Sequence, residues 1–198
     1  MMLHFSEACE RNKGPILEII KDVLRDSSTV LEIGSGTGQH AVYFGDKLPY
    51  LQWQPSDVRE NIPVILANLR KHCPANVTQA QELDVRDHPW PVSQVDAIFS
   101  ANTLHIMSWA LVKEFFTGIG TTLGEGGILC IYGPFRYNNA YTSDSNADFD
   151  KYLKLRDPAS GIRDFEAVDE LAQRQGLKLQ EDNAMPANNQ LLIWRRIP

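Results

Sequence analysis

The sequence VLEIGSGTG at residues 30–38 joins an apolar run, 29–33, to a helical pattern that begins at about Gln39. The run predicts a buried strand, and Gly34, Gly36 and Gly38 allow positive φ angles and close approach of a ligand to the backbone. Backbone N–H groups and a helix N-terminus would face that ligand. The stretch is typical of the first strand-to-helix turn in a ligand-binding α/β sheet, although a tight turn that binds nothing has the same pattern.

Acidic residues stand at the ends of three successive predicted strands. Glu32 lies at the carboxyl end of the strand 29–33, and Asp57 follows the strand 51–54. Asp57 lies 19 residues after Gly38, close to the ~20 that place an acid on a ribose hydroxyl. Asp84 ends the predicted strand 77–83, where on its own it would also serve as a turn acid. Because parallel strands end at one edge of a sheet, we expect these carboxylates to share one ligand site.

Two classes of nucleotide cofactor fit this arrangement. The pattern Gly36-x-Gly38-x-x-Ala41 satisfies the dinucleotide fingerprint, so a nicotinamide-dependent oxidoreductase is an alternative. Glu32 opposes it, because a carboxylate directly before the loop would repel a pyrophosphate. S-adenosylmethionine carries a sulfonium, an ammonium and no phosphate, and it suits an acidic site.

On this hypothesis each acid has a partner on S-adenosylmethionine. Glu32 reaches the ammonium directly or through water, and Asp57 accepts hydrogen bonds from both ribose hydroxyls. Asp84 accepts from the adenine amino group, and Val85 lines the adenine ring. The chain is therefore expected to bind S-adenosylmethionine at the carboxyl ends of strands one to four.

The stretch at 30–38 resembles motif I of class I S-adenosylmethionine-dependent methyltransferases, and the resemblance covers nearly the whole chain. More narrowly, ERNKxPI at 10–16, GPF at 133–135, TSxSNxxFD at 142–150 and RDPxxGIRD at 156–164 are similar to an uncharacterised methyltransferase-like family. That family, a domain of unknown function, includes methyltransferase-like protein 26. The resemblance implies a fold and a cofactor, and it implies no acceptor.

The alternation of apolar runs and helical patterns predicts the α/β class. We expect a Rossmann-like, seven-stranded, mostly parallel sheet with helices on both faces and an antiparallel C-terminal hairpin strand built from 177–181 and 190–195. The first helix is predicted over 14–24, 137–143 as a loop and 147–155 as a short helix. A single domain would span 1–198, with 133–164 inserted after strand five as a lid or substrate loop.

Residues after strand four are candidates for chemistry. Asn102 is placed to line the cofactor pocket, as residues at this position do in similar folds, and His105 would serve as a general base. A histidine packed at a helix start, with a satisfied backbone partner, is the alternative. The Asp/Asn-Pro-Pro-aromatic element of enzymes that methylate adenine or glutamine amides does not occur here.

The N-terminal segment supplies further cofactor candidates. Arg11 would grip the methionine carboxylate bidentately, with Asn12 beside it, unless Arg11 forms a surface ion pair with a nearby glutamate. His4 and Phe5 are further lid candidates. The complete set of expected cofactor residues is Arg11, Asn12, Glu32, Gly34, Ser35, Gly36, Gly38, Asp57, Asp84, Val85 and Asn102.

Aromatic and basic residues in and beside 133–164 are candidates for acceptor binding. Tyr132, Arg136 and Arg156 are the expected substrate residues, which favours a small polar or anionic acceptor. Aspartates in the same segment would neutralise the arginines if the segment packs on itself. In that case the arginines are structural and the acceptor enters elsewhere.

Composition excludes several other classes. The chain has 198 residues and a formal net charge of −6, which argues against a nucleic-acid partner. Its three cysteines contain no C-x-x-C pair and its five histidines have no ligand spacing, so no metal is predicted. No apolar run approaches a membrane span of roughly 18 residues, and no signal peptide is evident, so a cytoplasmic location is expected. The oligomeric state stays open.

The leading hypothesis is an S-adenosylmethionine-dependent methyltransferase that acts on an unidentified small acceptor. A non-catalytic module that binds S-adenosylmethionine is the first alternative, and the nicotinamide-dependent oxidoreductase is the second. A protein or nucleic-acid methyltransferase is a third, although the acidic chain opposes nucleic acid.

Overall fold

The computed structural model describes residues 5–197, in which strands and helices alternate along most of the chain. The helices are α1 (Glu7–Val23), α2 (Gln39–Lys47), α3 (Ile62–Leu69), α4 (Trp109–Thr122), α5 (Asp144–Arg156) and α6 (Phe165–Arg174). The strands are β1 (Thr29–Ile33), β2 (Gln52–Asp57), β3 (Gln81–Glu82), β4 (Val95–Ala101), β5 (Leu123–Gly133), β6 (Phe135–Tyr137), β7 (Ala140–Tyr141), β8 (Arg163–Asp164), β9 (Leu177–Met185) and β10 (Asn189–Arg196).

The main sheet has seven strands in the order β3-β2-β1-β4-β5-β10-β9. The first five strands in that order pair in parallel. Strand β10 is antiparallel to both of its neighbours, so β9 runs in the same direction as the parallel strands. The predicted fold class is confirmed, including the C-terminal hairpin.

Both faces of the main sheet are covered by helices, and side chains alternate along β1 between the two cores. Leu31 packs in the core that contains Phe115 of α4. Val30 packs in the opposite core with Phe44 of α2 and Trp53 of β2. Because both faces of the sheet are covered, β1 is buried at four of its five positions, as expected for a central parallel strand.

The first helix begins at Glu7 and not at the predicted residue 14. Ser6 is its N-cap, and the Ser6 side chain accepts a hydrogen bond from the backbone N–H of Cys9 at 3.2 Å. Pro15, which indicated a helix start, lies inside the helix. The longer helix brings Asn12 into the protein interior, where it is buried.

The β2–β3 edge also differs from the prediction. Strand β2 continues through Pro55 to Asp57, whereas β3 is only two residues long, with a separate bridge between Trp53 and Val77. Pro55 has no N–H, so the hydrogen bonds between β2 and the segment that contains β3 are interrupted there. The Gln54 side chain instead donates a hydrogen bond to the carbonyl of Gln79 at 2.5 Å.

Residues 133–164 form a small second sheet of three strands, in the order β7-β6-β8. Along the chain, α5 connects β7 to β8. The predicted loop at 137–143 is wrong: β6 and β7 make a hairpin whose two turn residues, Asn138 and Asn139, have φ angles of 51° and 62°. Asparagine tolerates this left-handed conformation, which a type I′ hairpin requires. Ser143 caps α5, so the helix starts at Asp144 and is longer than predicted.

Within residues 5–197, no helix is both long and apolar enough to cross a membrane.

Candidate functional site

The glycine loop after β1 forms the floor of the candidate site. Gly34, Gly36 and Gly38 have φ angles of 76°, 57° and 74°, a region that L side chains rarely adopt. A Cβ atom on Gly36 would meet no atom within 4 Å, so this residue faces open space. A Cβ atom on Gly34 would lie 2.3 Å from Cγ2 of Thr103, because the β4–α4 loop crosses directly over the glycine loop. The two glycines therefore differ: the space next to Gly36 is open to a ligand, whereas the space next to Gly34 is filled by Thr103.

Asp57 holds the glycine loop in this shape. One carboxylate oxygen accepts the backbone N–H of Gly36 at 2.7 Å. The other accepts the N–H of Val58 at 2.8 Å and the side-chain amide of Asn61 at 2.9 Å. Asp57 is buried but borders a cavity, so it orders the loop and still lies at the cavity edge. Asn61 was missed by sequence reasoning, since nothing marked it apart from its place at the start of α3.

A cavity of about 330 Å³ opens at the carboxyl edge of β1, β2 and β4. Apolar side chains make most of its wall, and two of the predicted acids, Asp57 and Asp84, are among its lining residues. The lining residues are Ile33, Gly34, Asp57, Val58, Asn61, Leu83, Asp84, Val85, Arg86, Thr103, Ile106, Met107 and Leu111. The cavity therefore combines flat apolar walls with carboxylates at its rim.

Asp84 is paired with Arg86 at this rim. The Arg86 guanidinium binds the carboxylate through Nε at 3.0 Å to each oxygen, and these hydrogen bonds hold the pKa of Asp84 below its usual range. Arg86 is exposed, so the pair can open towards solvent. Val85, predicted to line an adenine ring, is buried in the cavity wall.

Glu32 lies beneath the glycine loop and is almost fully buried, with 2% of its surface exposed. One carboxylate oxygen accepts from the indole N–H of Trp53 at 2.9 Å, and Ser35 is a further hydrogen-bond partner. Burial raises the pKa of Glu32 to about 7, and these two donors only partly offset that effect. No cationic side chain neutralises this carboxylate in the described chain, since the nearest titratable nitrogen is Nδ1 of His40 at 3.8 Å.

His40, the second residue of α2, links Glu32 to the N-terminal helix. Its Nε2 is 2.7 Å from Oδ1 of Asn12, and its ring stacks on Phe44 with 5.2 Å between centroids. Burial lowers the pKa of His40 to about 3, so the imidazole is neutral at physiological pH. Asn12 also hydrogen-bonds the Tyr132 hydroxyl, whose pKa is raised by burial. The structure thus brings together Asn12, predicted as a cofactor residue, and Tyr132, predicted as a substrate residue.

Arg11 points away from this network. Its side chain is 72% exposed, and Nη1 lies 3.3 Å from a carboxylate oxygen of Glu7 one helical turn earlier. This is the ion pair weighed as the alternative to a cofactor contact. Phe5 is exposed at the start of the described chain, and the candidate His4 lies outside the described residues.

The end of β4 carries the predicted chemistry residues. Asn102 has a φ of 60°, and its N–H donates to the carbonyl of Tyr132 at 2.8 Å, which joins the ends of β4 and β5. His105 is buried with its ring 5.4 Å from that of Phe149 of α5. Burial, with Arg163 nearby, lowers the pKa of His105 to about 4, below the expected value near 6.5. Among residues 5–197 its imidazole makes no hydrogen bond, and His105 is not among the residues that line the cavity.

The two predicted substrate arginines occupy different surroundings. Arg136 forms a half-buried ion pair with Asp164 and lies 5.4 Å from the ring centroid of Tyr141. Arg156 is exposed at the end of α5, with its guanidinium 5.7 Å from the ring centroid of Tyr152. The segment therefore contains the internal ion pair that was considered for Arg136, whereas Arg156 is available at the surface.

A larger cavity, of about 560 Å³, lies between α1, α2 and the end of α3. Its lining includes Lys13, Tyr43 and Lys71 and contains none of the strand-end acids. Within the described chain, no group of three or more His, Cys, Asp or Glu side chains is arranged to hold a metal ion.

The residues around the smaller cavity fit S-adenosylmethionine better than a dinucleotide. The rim acid Asp57 would repel a pyrophosphate, and so would Glu32, which is buried beneath the glycine loop outside the cavity lining; a ligand with a cationic amino-acid portion suits both acids. Gly36 leaves open space above the loop, and the apolar wall at Val85 and Leu83 suits a flat base.

The fold is Rossmann-like and is similar to that of solved methyltransferases. Similar solved structures include an O-methyltransferase family protein from Burkholderia thailandensis (TM-score 0.83, 17% identity, covering 96% of this chain and 58% of that one). Human N-acetylserotonin methyltransferase in complex with S-adenosylmethionine is similar as well (TM-score 0.81, 16% identity, covering 97% of this chain and 53% of that one). The YcgJ protein from Bacillus subtilis matches over nearly its full length (TM-score 0.74, 16% identity, 96% and 99%).

The chain belongs to the family described as "Protein of unknown function (DUF938)", whose model matches residues 3–196. At these low identities the solved structures show the fold, and the chain spans only a little over half the length of the first two.

Proposed function

We propose that this protein is an S-adenosylmethionine-dependent methyltransferase that acts on a small polar or anionic acceptor. The observation that carries the proposal is the apolar cavity beside the glycine loop, with Asp57 and Asp84 on its rim. The motifs at 10–16 and within 133–164 support the narrower likeness to methyltransferase-like protein 26, and a cytoplasmic location is part of the same proposal.

The cavity residues would bind the adenosine portion. Asp57 has a rim position from which it accepts hydrogen bonds from ribose hydroxyls, while its bond to the N–H of Gly36 keeps the loop ordered. Val85 and Leu83 offer apolar contact to the base, and Asp84 would exchange its Arg86 partner for the adenine amino group. The open space at Gly36 is left for the ligand chain that leads to the sulfonium.

The methionine portion would lie towards Glu32. A buried carboxylate without a cationic partner is unfavourable, and a ligand ammonium supplies that partner. Ser35 and Asn12, each buried next to this carboxylate or to its neighbour His40, add polar groups to the same region. Arg11 would reach the methionine carboxylate only after leaving Glu7, at little cost, because an exposed ion pair contributes ~0–1 kcal/mol.

Bound S-adenosylmethionine would supply an activated methyl group whose leaving group is a neutral thioether. The protein's main task is then to align the acceptor with the methyl group, which can account for most of the rate. Tyr132 lies near the end of β5 and His105 in the loop after β4, and both would orient the acceptor. Because the pKa of His105 is about 4, its imidazole is neutral at pH 7 and acts as a hydrogen-bonding group, with weak basicity.

Calorimetric titration with S-adenosylhomocysteine and with NAD tests the cofactor class. We expect S-adenosylhomocysteine to bind and NAD to give no heat of binding. Glu32→Ala should weaken S-adenosylhomocysteine binding by roughly 1.5–3 kcal/mol, as for a hydrogen bond to a charged group. Unchanged affinity in both Glu32→Ala and Asp57→Ala, or binding of NAD in place of S-adenosylhomocysteine, would contradict the proposal.

The acceptor is sought with a metabolite screen that uses a labelled methyl donor. Arg136→Met and Arg156→Met should leave cofactor affinity unchanged and lower turnover of the acceptor at least tenfold, which is about 1.4 kcal/mol. Arg136→Met combined with Asp164→Asn is the control, because it removes the partner charge as well. Full turnover in both single variants would make these arginines structural. Cofactor binding with no turnover of any acceptor would favour the non-catalytic module.

A further inference from the structure

The β4–α4 loop, residues 102–108, separates the cavity from the segment 133–164. Thr103, Ile106 and Met107 line the cavity. Between them, His105 turns its ring to Phe149 of α5. One short loop therefore forms a wall of the proposed cofactor site and, on its other side, a contact surface for the segment.

The side chain of Arg163, in β8, binds backbone carbonyls of this loop. Its Nε donates to the carbonyl of Leu104 at 3.1 Å, and its Nη2 donates to the carbonyl of Met107. The same Nη2 donates to the carbonyl of Ala159 at 3.0 Å, and the guanidinium lies 6.0 Å from the ring centroid of Trp109. Arg163 does not line the cavity itself.

Two more contacts join the segment to the loop beside Arg163. The N–H of Gly161 donates to the carbonyl of His105 at 2.8 Å. Asp150 of α5 accepts the N–H of Ile162 at 2.7 Å, which fixes the backbone next to Arg163 to the helix that carries Phe149. Two residues of the segment thus bind three carbonyls of the loop: Gly161 binds that of residue 105, and Arg163 binds those of residues 104 and 107.

The residue type matters for this arrangement. Arg163 is half-buried, and in the described part of the chain it forms no ion pair with a carboxylate, so carbonyl oxygens solvate its charge. A planar guanidinium presents several N–H groups in a fixed fork and reaches three carbonyls at once, whereas a lysine ammonium is a flexible point charge. Burial lowers the pKa of Arg163 from its ordinary value, which is the cost of holding a cation here.

We propose that Arg163 is a positioning residue that couples the segment 133–164 to the cofactor cavity. By fixing the carbonyls of Leu104 and Met107, it holds Thr103, Ile106 and Met107 against the cavity and His105 against the segment. The inference rests on the proposed function, because the cavity must bind the cofactor. Coupling between two sites is reciprocal, so a ligand in the cavity stabilises the segment by the same amount as the segment stabilises the bound ligand.

Hydrogen exchange measured by mass spectrometry, with and without S-adenosylhomocysteine, tests the coupling. In the wild-type protein, the ligand should slow exchange in 102–108 and also in 133–164. Arg163→Met should bind S-adenosylhomocysteine at least tenfold more weakly and, at saturating ligand, show no slowing in 133–164. Lys151→Met is the control, since Lys151 is an exposed cation of the same segment, and its ligand affinity and exchange should match those of the wild type.

Arg163→Lys separates the fork from the charge. It keeps the charge and loses the planar geometry, so it should behave like Arg163→Met; recovery of wild-type affinity and exchange would overturn the assigned role of the fork. Wild-type affinity and ligand-dependent slowing in Arg163→Met would overturn the coupling. If Arg163→Met does not fold, the coupling is tested by hydrogen exchange in the wild-type protein and by the ligand affinity and exchange of Arg163→Lys. Binding of ligand by the wild type without slowing in 133–164 overturns the coupling and leaves the proposed function standing, whereas absence of binding overturns both.

Discussion

Lowering the pH from 8 to 6 is expected to weaken S-adenosylhomocysteine binding about tenfold, because Glu32 takes up a proton over this range. Burial raises the pKa of its carboxyl to about 7 in the free protein. A ligand ammonium beside the carboxylate favours the charged form and lowers that pKa in the complex. Only the ionised protein then binds well, so the apparent Kd rises about tenfold from pH 8 to pH 6, or about 1.4 kcal/mol.

The sign of the effect follows from proton linkage. Because the pKa of Glu32 is raised from its ordinary value of 4.5 to about 7, the folded free protein binds more protons than the unfolded chain between these values. The contribution of Glu32 to the stability of the free protein therefore falls as pH rises through this window. Ligand binding removes the excess proton, so binding releases about half a proton at pH 7. The nearby His40 stays neutral throughout, since its pKa is about 3.

Calorimetry at pH 6, 7 and 8, in buffers of different ionisation enthalpy, measures both the affinity and the proton release. Glu32→Gln keeps an acceptor for the indole N–H of Trp53 and should show neither pH dependence nor proton release. Methylthioadenosine, which lacks the amino-acid portion, should bind the wild type equally at all three pH values. A flat affinity for S-adenosylhomocysteine in the wild type, or an equal slope in Glu32→Gln, would refute the assignment of Glu32 to the ammonium.

Three glycine substitutions separate the site from the scaffold. Gly36→Val should abolish S-adenosylhomocysteine binding in calorimetry while circular dichroism shows a retained fold, because its side chain enters open space above the loop; normal affinity would mean that the loop does not touch the ligand. Gly34→Ala places a Cβ 2.3 Å from Thr103, so both thermal stability and ligand affinity should fall. Gly45→Ala places a Cβ 2.3 Å from Cγ2 of Val77, in the last turn of α2 and outside the lining of the cavity, and should lower the free energy of unfolding by about 1–3 kcal/mol with unchanged affinity of the folded protein.

The main sheet was predictable because its signals are local. The run 29–33, the glycines after it and the helical pattern from Gln39 occur in one continuous stretch, and β1 and α2 have the predicted bounds. The same holds for Asp57 and Asp84, whose positions at strand ends follow from chain order. Periodicity is a property of neighbouring residues, so a single sequence reveals it.

The surroundings of the site residues were not predictable, because they depend on contacts between distant parts of the chain. Trp53 lies 21 residues from the carboxylate of Glu32 that it binds, and Arg163 lies 59 residues from Leu104. No local pattern distinguishes Arg163, which binds carbonyls inside the protein, from Arg156 on the surface. The hairpin at Asn138-Asn139 did have a local signal, since paired asparagines favour a type I′ turn.

A crystal structure of the protein grown with S-adenosylhomocysteine tests the central claim most directly. We expect the adenine in the cavity of about 330 Å³ against Val85, the ribose hydroxyls at Asp57 and the amino group towards Glu32. Ligand density in the cavity of about 560 Å³ between α1, α2 and α3, with the glycine-loop cavity filled by solvent, would contradict it.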